Sequence, residues 1–165
     1  MMGSYAGKAA AVALVRDAGR GIEVYLNRRP AHFRYYPGSF VFPGGREDEE
    51  DSSITATACR EVKEEIGVEI DPARLVLLRE TFTSAHAGPV YHMFIFAYPV
   101  VGHLPTSLNS DEVDEEVWVG ADEALARYDL PYQTEAAVKT LSRFATIEEL
   151  FRSLGAGGAG RNDRA

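Results

Sequence analysis

Apolar residues recur along this chain in two patterns, short β-branched runs and one helical stripe. Ala9 to Val15 is small and β-branched, which predicts a buried strand. Asp-Ala-Gly-Arg-Gly over positions 17–21 signals a turn, and Ile22 to Leu26 predicts the return strand of a hairpin. Arg28 to Gly38 is polar, aromatic and flanked by prolines, so a loop is expected there. Phe40-Val41-Phe42 predicts a short strand that stops at Pro43-Gly44-Gly45. Leu75 to Ser84 and Val90 to Val100 predict two long strands joined through Ala85 to Pro89, and Val113 to Val119 a shorter one. Asp122 to Arg127, Gln133 to Phe144 and Ile147 to Leu154 are expected helices. The Gly-rich, polar stretch from Gly155 to Ala165 is expected to be a disordered tail after a single domain over residues 1–154.

The helical stripe lies between these strands. Ser52 or Ser53 supplies an N-cap, and the helix should run to Ile66 and stop at Gly67 as a C′ residue. At about 100° per residue, Ala58, Cys59, Val62 and Ile66 fall within one arc that should face the core. Glu61, Glu64 and Glu65 fall within the adjacent arc, so the spacing gathers carboxylates beside the buried seam. Like charges at these spacings repel by roughly 0.2–0.5 kcal/mol per pair at an exposed surface. A divalent cation reverses the sign of that interaction. Mg²⁺ is a hard ion that takes carboxylate and phosphate oxygens. The bland alternative for a bare glutamate cluster is a solvated acidic face, and the flanking residues decide between the two.

Composition narrows the classes. The 165 residues, 45% hydrophobic and 25% charged, suit one globular domain. The formal net charge of −8 argues against a nucleic-acid polymer as partner. It permits a small anionic, nucleotide-type ligand bridged to the protein by metal. A single cysteine, Cys59, excludes an internal disulfide framework and makes the cytoplasm the expected compartment. No run of about 18 apolar residues occurs, so no membrane span is expected. Met-Met-Gly-Ser opens the sequence without a basic-then-apolar segment, so no secretion signal is expected. The assembly state is left open, a homodimer included.

Gly45 followed by Arg60-Glu61-Val62-Lys63-Glu64-Glu65-Ile66-Gly67-Val68 resembles the Nudix box. That motif runs from a Gly through a Glu to Arg-Glu, an aliphatic residue, any residue, Glu-Glu, any residue, Gly and an aliphatic residue. The second half matches at every specified position. The first half carries one extra residue between Gly45 and Arg60, and Asp51 or a serine stands where the motif has Glu. The Asp-rich, longer loop with Asp48 and Asp51 resembles the coenzyme A diphosphatase branch of that family. So do Leu26, Arg29, Arg34, Gly38 and Phe42-Pro43-Gly44-Gly45, which match the branch's upstream signature in spacing. Tyr25, Asn27 and Pro30 depart from it.

The resemblance implies a Nudix-type α/β/α sandwich with a mixed β-sheet, and Mg²⁺ as cofactor with Mn²⁺ as a substitute. It implies metal ligation by Glu61, Glu64 and Glu65, and support from Arg60, which orients a ligand carboxylate through a salt bridge. Asp51 is a candidate for the same network. Gly44 and Gly45 let the backbone approach phosphate or adopt positive φ. Arg29 and Arg34 are candidates to grip phosphate through forked hydrogen bonds. Phe33, Tyr35 and Tyr36 either stack on a base or close the pocket. Glu112 is the first candidate for a distal base or extra ligand, because Glu112-Val113 resembles the branch's Glu-Val pair; Glu115 is the second. His86 and His92 are read as hairpin-loop and packing residues.

The expected reaction is hydrolysis of a diphosphate bond in a nucleoside-diphosphate-linked substrate. A carboxylate, one of the helix glutamates or Glu112, takes the proton of the attacking water. The resemblance favours CoA or an acyl-CoA, cut to 3′,5′-ADP and a phosphopantetheine. ADP-ribose, NADH, a dinucleoside polyphosphate or an oxidised nucleotide are the alternatives. A non-catalytic nucleotide sensor or protein-binding module is the alternative of another class.

Overall fold

A computed structural model describes residues 5–162 of the chain. Seven strands form one mixed sheet, β1 (Gly7–Asp17), β2 (Ile22–Arg28), β3 (Phe40–Val41), β4 (Gly44–Arg46), β5 (Val76–Phe82), β6 (Tyr91–Pro99) and β7 (Glu115–Gly120). The main path runs β3-β2-β1-β6-β5, with β4 paired to β1 and β7 paired to β2. Only β1 and β6 run parallel among the observed pairings. Four helices follow the same order, α1 (Ile54–Ile66), α2 (Ala121–Arg127), α3 (Tyr132–Leu141) and α4 (Ile147–Asn162).

β1 is apolar without alternation because both of its faces are covered. Ala10, Val12 and Leu14 face α1 through Ala58, Val62 and Ile66, with Tyr25, Phe96 and Tyr98 in the same cluster. Ala11, Ala13 and Val15 face the other way, in a cluster with Val138, Leu141 and Leu150 from α3 and α4. The result is the α/β/α sandwich with a mixed sheet that the motif implied.

One feature of the sheet builds the site. β1 pairs with β2 across Val15–Asp17 but with β4 across Ala9–Ala11, so the sheet divides where β2 leaves β1. β4 was not expected, since Gly44-Gly45-Arg46 has the composition of a turn. The remaining strands and helices match the expected ones to within a few residues at each end. Beyond Leu154 a difference appears: the stretch expected as a disordered tail continues α4 as far as Asn162. Residues 163–165 lie outside the described residues. Among the described residues, no helix is long and apolar enough to cross a membrane.

Candidate active site

The site begins with the ends of α1. Ser53 caps the helix by accepting the Ala56 N–H at 3.1 Å, and Gly67 closes it in the left-handed conformation at φ 70°. Residues 58, 62 and 66 are thereby locked into the core and the glutamates onto the flank beside β4. Cys59, expected within the buried arc, is only partly buried.

Arg60 spends its guanidinium on four partners. Nε and Nη2 donate to the two oxygens of Asp51, each at 2.9 Å, in a forked pair. Nη2 also reaches the Arg46 carbonyl at 3.0 Å, while Nη1 donates to Glu61 at 2.9 Å and to Glu64 at 3.2 Å. Asp51 further accepts the Thr57 hydroxyl and the Asp48 N–H, each at 2.8 Å. The Arg60 hydrogen bonds, against the opposing effect of burial, hold the Asp51 carboxyl far below the usual carboxylate range. Asp51 therefore occupies the place in the network for which the extra loop residue left a serine as the alternative.

Gly44 and Gly45 do their work through closeness, not through positive φ, which neither adopts. A Cβ on Gly44 would strike the Ala10 carbonyl and lie 2.6 Å from the Ala11 Cα across the β4–β1 pairing. A Cβ on Gly45 would lie 2.5 Å from the Glu61 carboxyl carbon. The missing side chains let β4 enter the sheet and let α1 bring its carboxylates to the strand edge. The Gly44 N–H then donates to Glu65 at 3.2 Å, and the Asn27 amide does so at 3.4 Å.

Glu112 arrives from far along the chain. The Ser107 N–H donates to the Ile66 carbonyl and the Asn109 N–H to the Glu65 carbonyl, both at 2.8 Å, pinning this loop to the end of α1. The Glu112 N–H then bonds the Asn109 carbonyl at 3.0 Å, and the side chain enters the cavity that Glu61 and Glu65 line. Its Oε2 is buried without a hydrogen-bond partner. Burial, with the charges of Glu61 and Glu112, pushes Glu65 up to about 8 against the opposing Gly44 and Asn27 hydrogen bonds. Burial also raises Glu61, with Arg60 opposing and Glu64 and Glu112 adding.

The cavity measures about 460 Å³, within the range of small-molecule sites. Arg29 lines it, with Nε donating to the Tyr35 carbonyl at 2.9 Å and its guanidinium carbon 4.6 Å from the Phe33 ring centre. Phe33, Tyr35, Tyr36 and Tyr91 supply aromatic wall, and Gln133 and Thr134 reach in from the start of α3.

Three residues predicted to meet metal or substrate lie outside the cavity lining. Arg34 is exposed, has its guanidinium carbon 5.4 Å from the Tyr35 ring centre and does not line the cavity. Its neighbours Phe33, Tyr35 and Tyr36 line the cavity instead. Glu64 stands outside the lining with 51% of its side chain exposed, and shares Arg60 Nη1 with Glu61. Glu115, the second candidate for a distal carboxylate, is exposed and 3.8 Å from Arg28. His92 packs between Phe82 and Phe94 and bonds Glu80 at 2.7 Å.

Asn27, Tyr91, Gln133 and Thr134 were not anticipated. A buried amide following an apolar strand run is a signal for Asn27. The other three depend on contacts between distant segments.

Among the described residues, no three His, Cys, Asp or Glu side chains stand close enough to hold a metal ion as they are now turned. Glu61 points to Arg60 and Glu65 to Gly44. The donor set nonetheless suits a hard divalent cation: carboxylates lining one cavity, raising each other's proton affinity, with one buried oxygen unpartnered.

The NUDIX domain model matches residues 6–141. A curated relative, the uncharacterized Nudix hydrolase NudL of Yersinia pestis (strain Pestoides F), is 35% identical over 92 residues, covering 56% of this chain and 43% of that protein. The chain thus spans less than half the length of the curated relatives it matches. The NUDIX hydrolase of Alicyclobacillus acidocaldarius superposes with a TM-score of 0.74 at 22% identity, covering 90% of this chain and 96% of that one. The NUDIX domain of Shewanella oneidensis NrtR, solved with ADP ribose, superposes with a TM-score of 0.68 at 16% identity, covering 84% and 86%.

Proposed function

The chain belongs to the NUDIX domain family, and we propose that it hydrolyses the diphosphate bond of a nucleoside-diphosphate-linked substrate with a divalent metal ion. The observation that carries this reading is the meeting of Glu61, Glu65 and Glu112 in an aromatic-walled cavity beside Gly44-Gly45.

Glu61, Glu65 and Glu112 would hold Mg²⁺ or Mn²⁺, with Glu64 available from the rim. When bound, the ion would neutralise diphosphate oxygens and make a water acidic enough to attack phosphorus. Arg60 fixes the Glu61 carboxylate, so that this group is not free to swing to solvent. Arg29, stacked on Phe33 and anchored at Nε, offers its remaining N–H groups to an anionic oxygen. Glu65 and Glu112 are the carboxylates best placed to take the proton of the water, being buried with high proton affinity or an unpartnered oxygen. The aromatic wall excludes water from the rest of the substrate.

CoA or an acyl-CoA is the substrate this reading favours. Its support is the spacing of Leu26, Arg29, Gly38 and Phe42 to Gly45, of which Arg29, Phe42, Gly44 and Gly45 line the cavity. The exposed Arg34 would act at the entrance. The enzyme would work in the cytoplasm on a small molecule, with no nucleic-acid polymer as partner.

Product identification tests this directly. CoA, ADP-ribose and NADH are incubated separately with the protein and Mg²⁺ or Mn²⁺. The expected result is 3′,5′-ADP from CoA, only with metal. Turnover of ADP-ribose or NADH without 3′,5′-ADP from CoA would reassign the substrate. No hydrolysis of any of them would overturn the activity itself.

A further inference from the structure

The cavity also carries polar atoms that the hydrolytic reading leaves idle. Gln133 is 5% exposed, lines the cavity, and has a buried Oε1 without any partner. The Tyr36 hydroxyl is likewise buried, in the same cavity and without a partner. A folded chain seldom leaves such atoms unbonded, because each forfeits its hydration for nothing in return. Here they share one apolar chamber with Phe33, Tyr35, Tyr91 and Met93.

The arrangement is held in place at some cost. Tyr36 is the one non-glycine residue with positive φ among the described residues, at 51°, a conformation that bulky side chains avoid. Such strain persists only where surrounding structure enforces it. The enforcement is visible. The Ser39 N–H bonds the Tyr36 carbonyl at 3.2 Å, and Gly38 takes φ 74° to turn the chain back. The Phe40 N–H bonds the Asp129 carbonyl at 2.9 Å, and the Ser39 hydroxyl bonds the Asp129 carboxylate at 3.2 Å. These bonds tie the Tyr36 loop to the segment that starts α3, and α3 places Gln133 in its first turn.

We propose that Gln133 and Tyr36 form a reading head for the adenine of the substrate, making Gln133 the residue that determines base preference. This inference rests on the cavity being the substrate site, as argued above, and adds which residues meet the base. The chemistry favours a planar base. A carboxamide presents one donor and one acceptor side by side, whichever way it is turned. Adenine presents the matching pair, an exocyclic amino donor next to a ring-nitrogen acceptor, and Gln meets it with two parallel hydrogen bonds. The aromatic residues supply faces on which a flat ring stacks, and the phenol of Tyr36 adds a third polar contact. A flexible polyhydroxylated or aliphatic group would use neither the stacking faces nor the paired amide.

The test is calorimetric binding to the full chain, using ADP and its analogue purine riboside 5′-diphosphate, which lacks only the exocyclic amino group. The wild-type protein should bind ADP about 10- to 100-fold more tightly, the range of a bidentate base contact. Gln133→Met keeps the volume and removes both hydrogen-bonding groups. It should bring the ratio of the two affinities to about 1, acting mainly on ADP. Its melting temperature without ligand should equal or exceed that of wild type, because a buried unpartnered oxygen is gone. Tyr36→Phe keeps the ring and should weaken ADP by about 3- to 10-fold. A wild-type ratio near 1 would overturn the inference. So would an unchanged ratio in Gln133→Met with normal melting. If Gln133→Met fails to fold, the wild-type ratio and Tyr36→Phe decide together, and unchanged ADP binding in Tyr36→Phe counts against it. The two readings fail separately: a wild-type protein that hydrolyses nothing but keeps a Gln133-dependent ADP preference loses only its proposed activity. Metal-dependent turnover with equal affinity for both nucleotides loses only the reading head.

Discussion

Two groups of carboxylates meet α1, one from the loop before it and one beside its C-terminal half, and they have opposite electrostatic characters. On the outer side, Asp51 is 6% exposed yet meets the Arg60 fork, the Thr57 hydroxyl and the Asp48 N–H. Every requirement of that carboxylate is satisfied, and its proton affinity falls. On the inner side, Glu65 and Glu112 make no ion pair among the described residues; the proton affinity of Glu65 rises and an oxygen of Glu112 goes unbonded. Glu61 stands between, touched by Arg60 and by the field of its neighbours. Complete pairing marks a carboxylate that holds the fold; incomplete pairing marks carboxylates that await a ligand. Arg60 separates the two because its donors are used up on one side.

The difference can be broken from either side, and the largest effect should come from within. Glu65→Gln keeps the shape and the Gly44 contact but removes a charge from the cavity. If the ion supplies several kcal/mol of transition-state stabilisation, kcat should fall by roughly a thousandfold or more. Steady-state kinetics at saturating Mg²⁺ would read this, and the folded protein should be as stable as wild type or more so.

Next comes Arg60→Met. It leaves Asp51 with the Thr57 and Asp48 bonds but no cation, which costs about 1.5–3 kcal/mol, or roughly 3–12 °C of melting temperature in a domain of this size. Activity should also fall by about 10- to 100-fold through loss of Glu61 positioning. The mark of the comparison is that Arg60→Met damages stability and activity together, whereas Glu65→Gln damages activity alone.

The two sides should also respond to pH in opposite directions. Asp51 has its proton affinity lowered on folding. Its contribution is present above the unfolded-state value near 3.9 and is lost as the pH falls toward its lower folded value. Glu65 has its proton affinity raised. Its contribution is complete below about 4.3, shrinks as the pH rises, and is gone above about 8. Melting temperatures of the metal-free protein should therefore decline between about pH 4.3 and 8. Glu65→Gln should flatten that decline, and Asp51→Asn should flatten only the acid limb.

Glu64→Gln should do least. Its side chain is half exposed and outside the cavity lining, so a loss of about tenfold or less is expected. A loss equal to that of Glu65→Gln would place Glu64 inside the working set and blur the line drawn here.

How much of this was legible in the sequence follows the same division. The outer network is local. Ser53, Asp51, Thr57, Arg60 and Gly67 lie within a short span, so capping rules and helical spacing predict α1, its ends and its acidic flank. The inner site is non-local. Glu112 could be nominated from its neighbour Val113, but its approach to Glu65 depends on the backbone bonds from Ser107 and Asn109 to the end of α1. β4 was invisible because Gly44 and Gly45 carry no strand propensity; their place is set by contact with Ala10, Ala11 and Glu61. Gln133 was hidden because a polar residue in the first turn of a helix ordinarily faces water. Arg34 shows the converse, a spacing match whose side chain turns outward while Tyr35 turns in.

The central claim is that Glu61, Glu65 and Glu112 together bind a divalent ion in the cavity. Calorimetric titration of the protein with Mn²⁺ at pH 7, repeated in buffers of different ionisation enthalpy, measures affinity and proton release at once. With Glu65 near 8, binding should expel about one proton, and Glu65→Gln should lose both the proton and most of the affinity. Saturable Mn²⁺ binding that is the same in Glu65→Gln, with no proton released in either protein, would contradict the account.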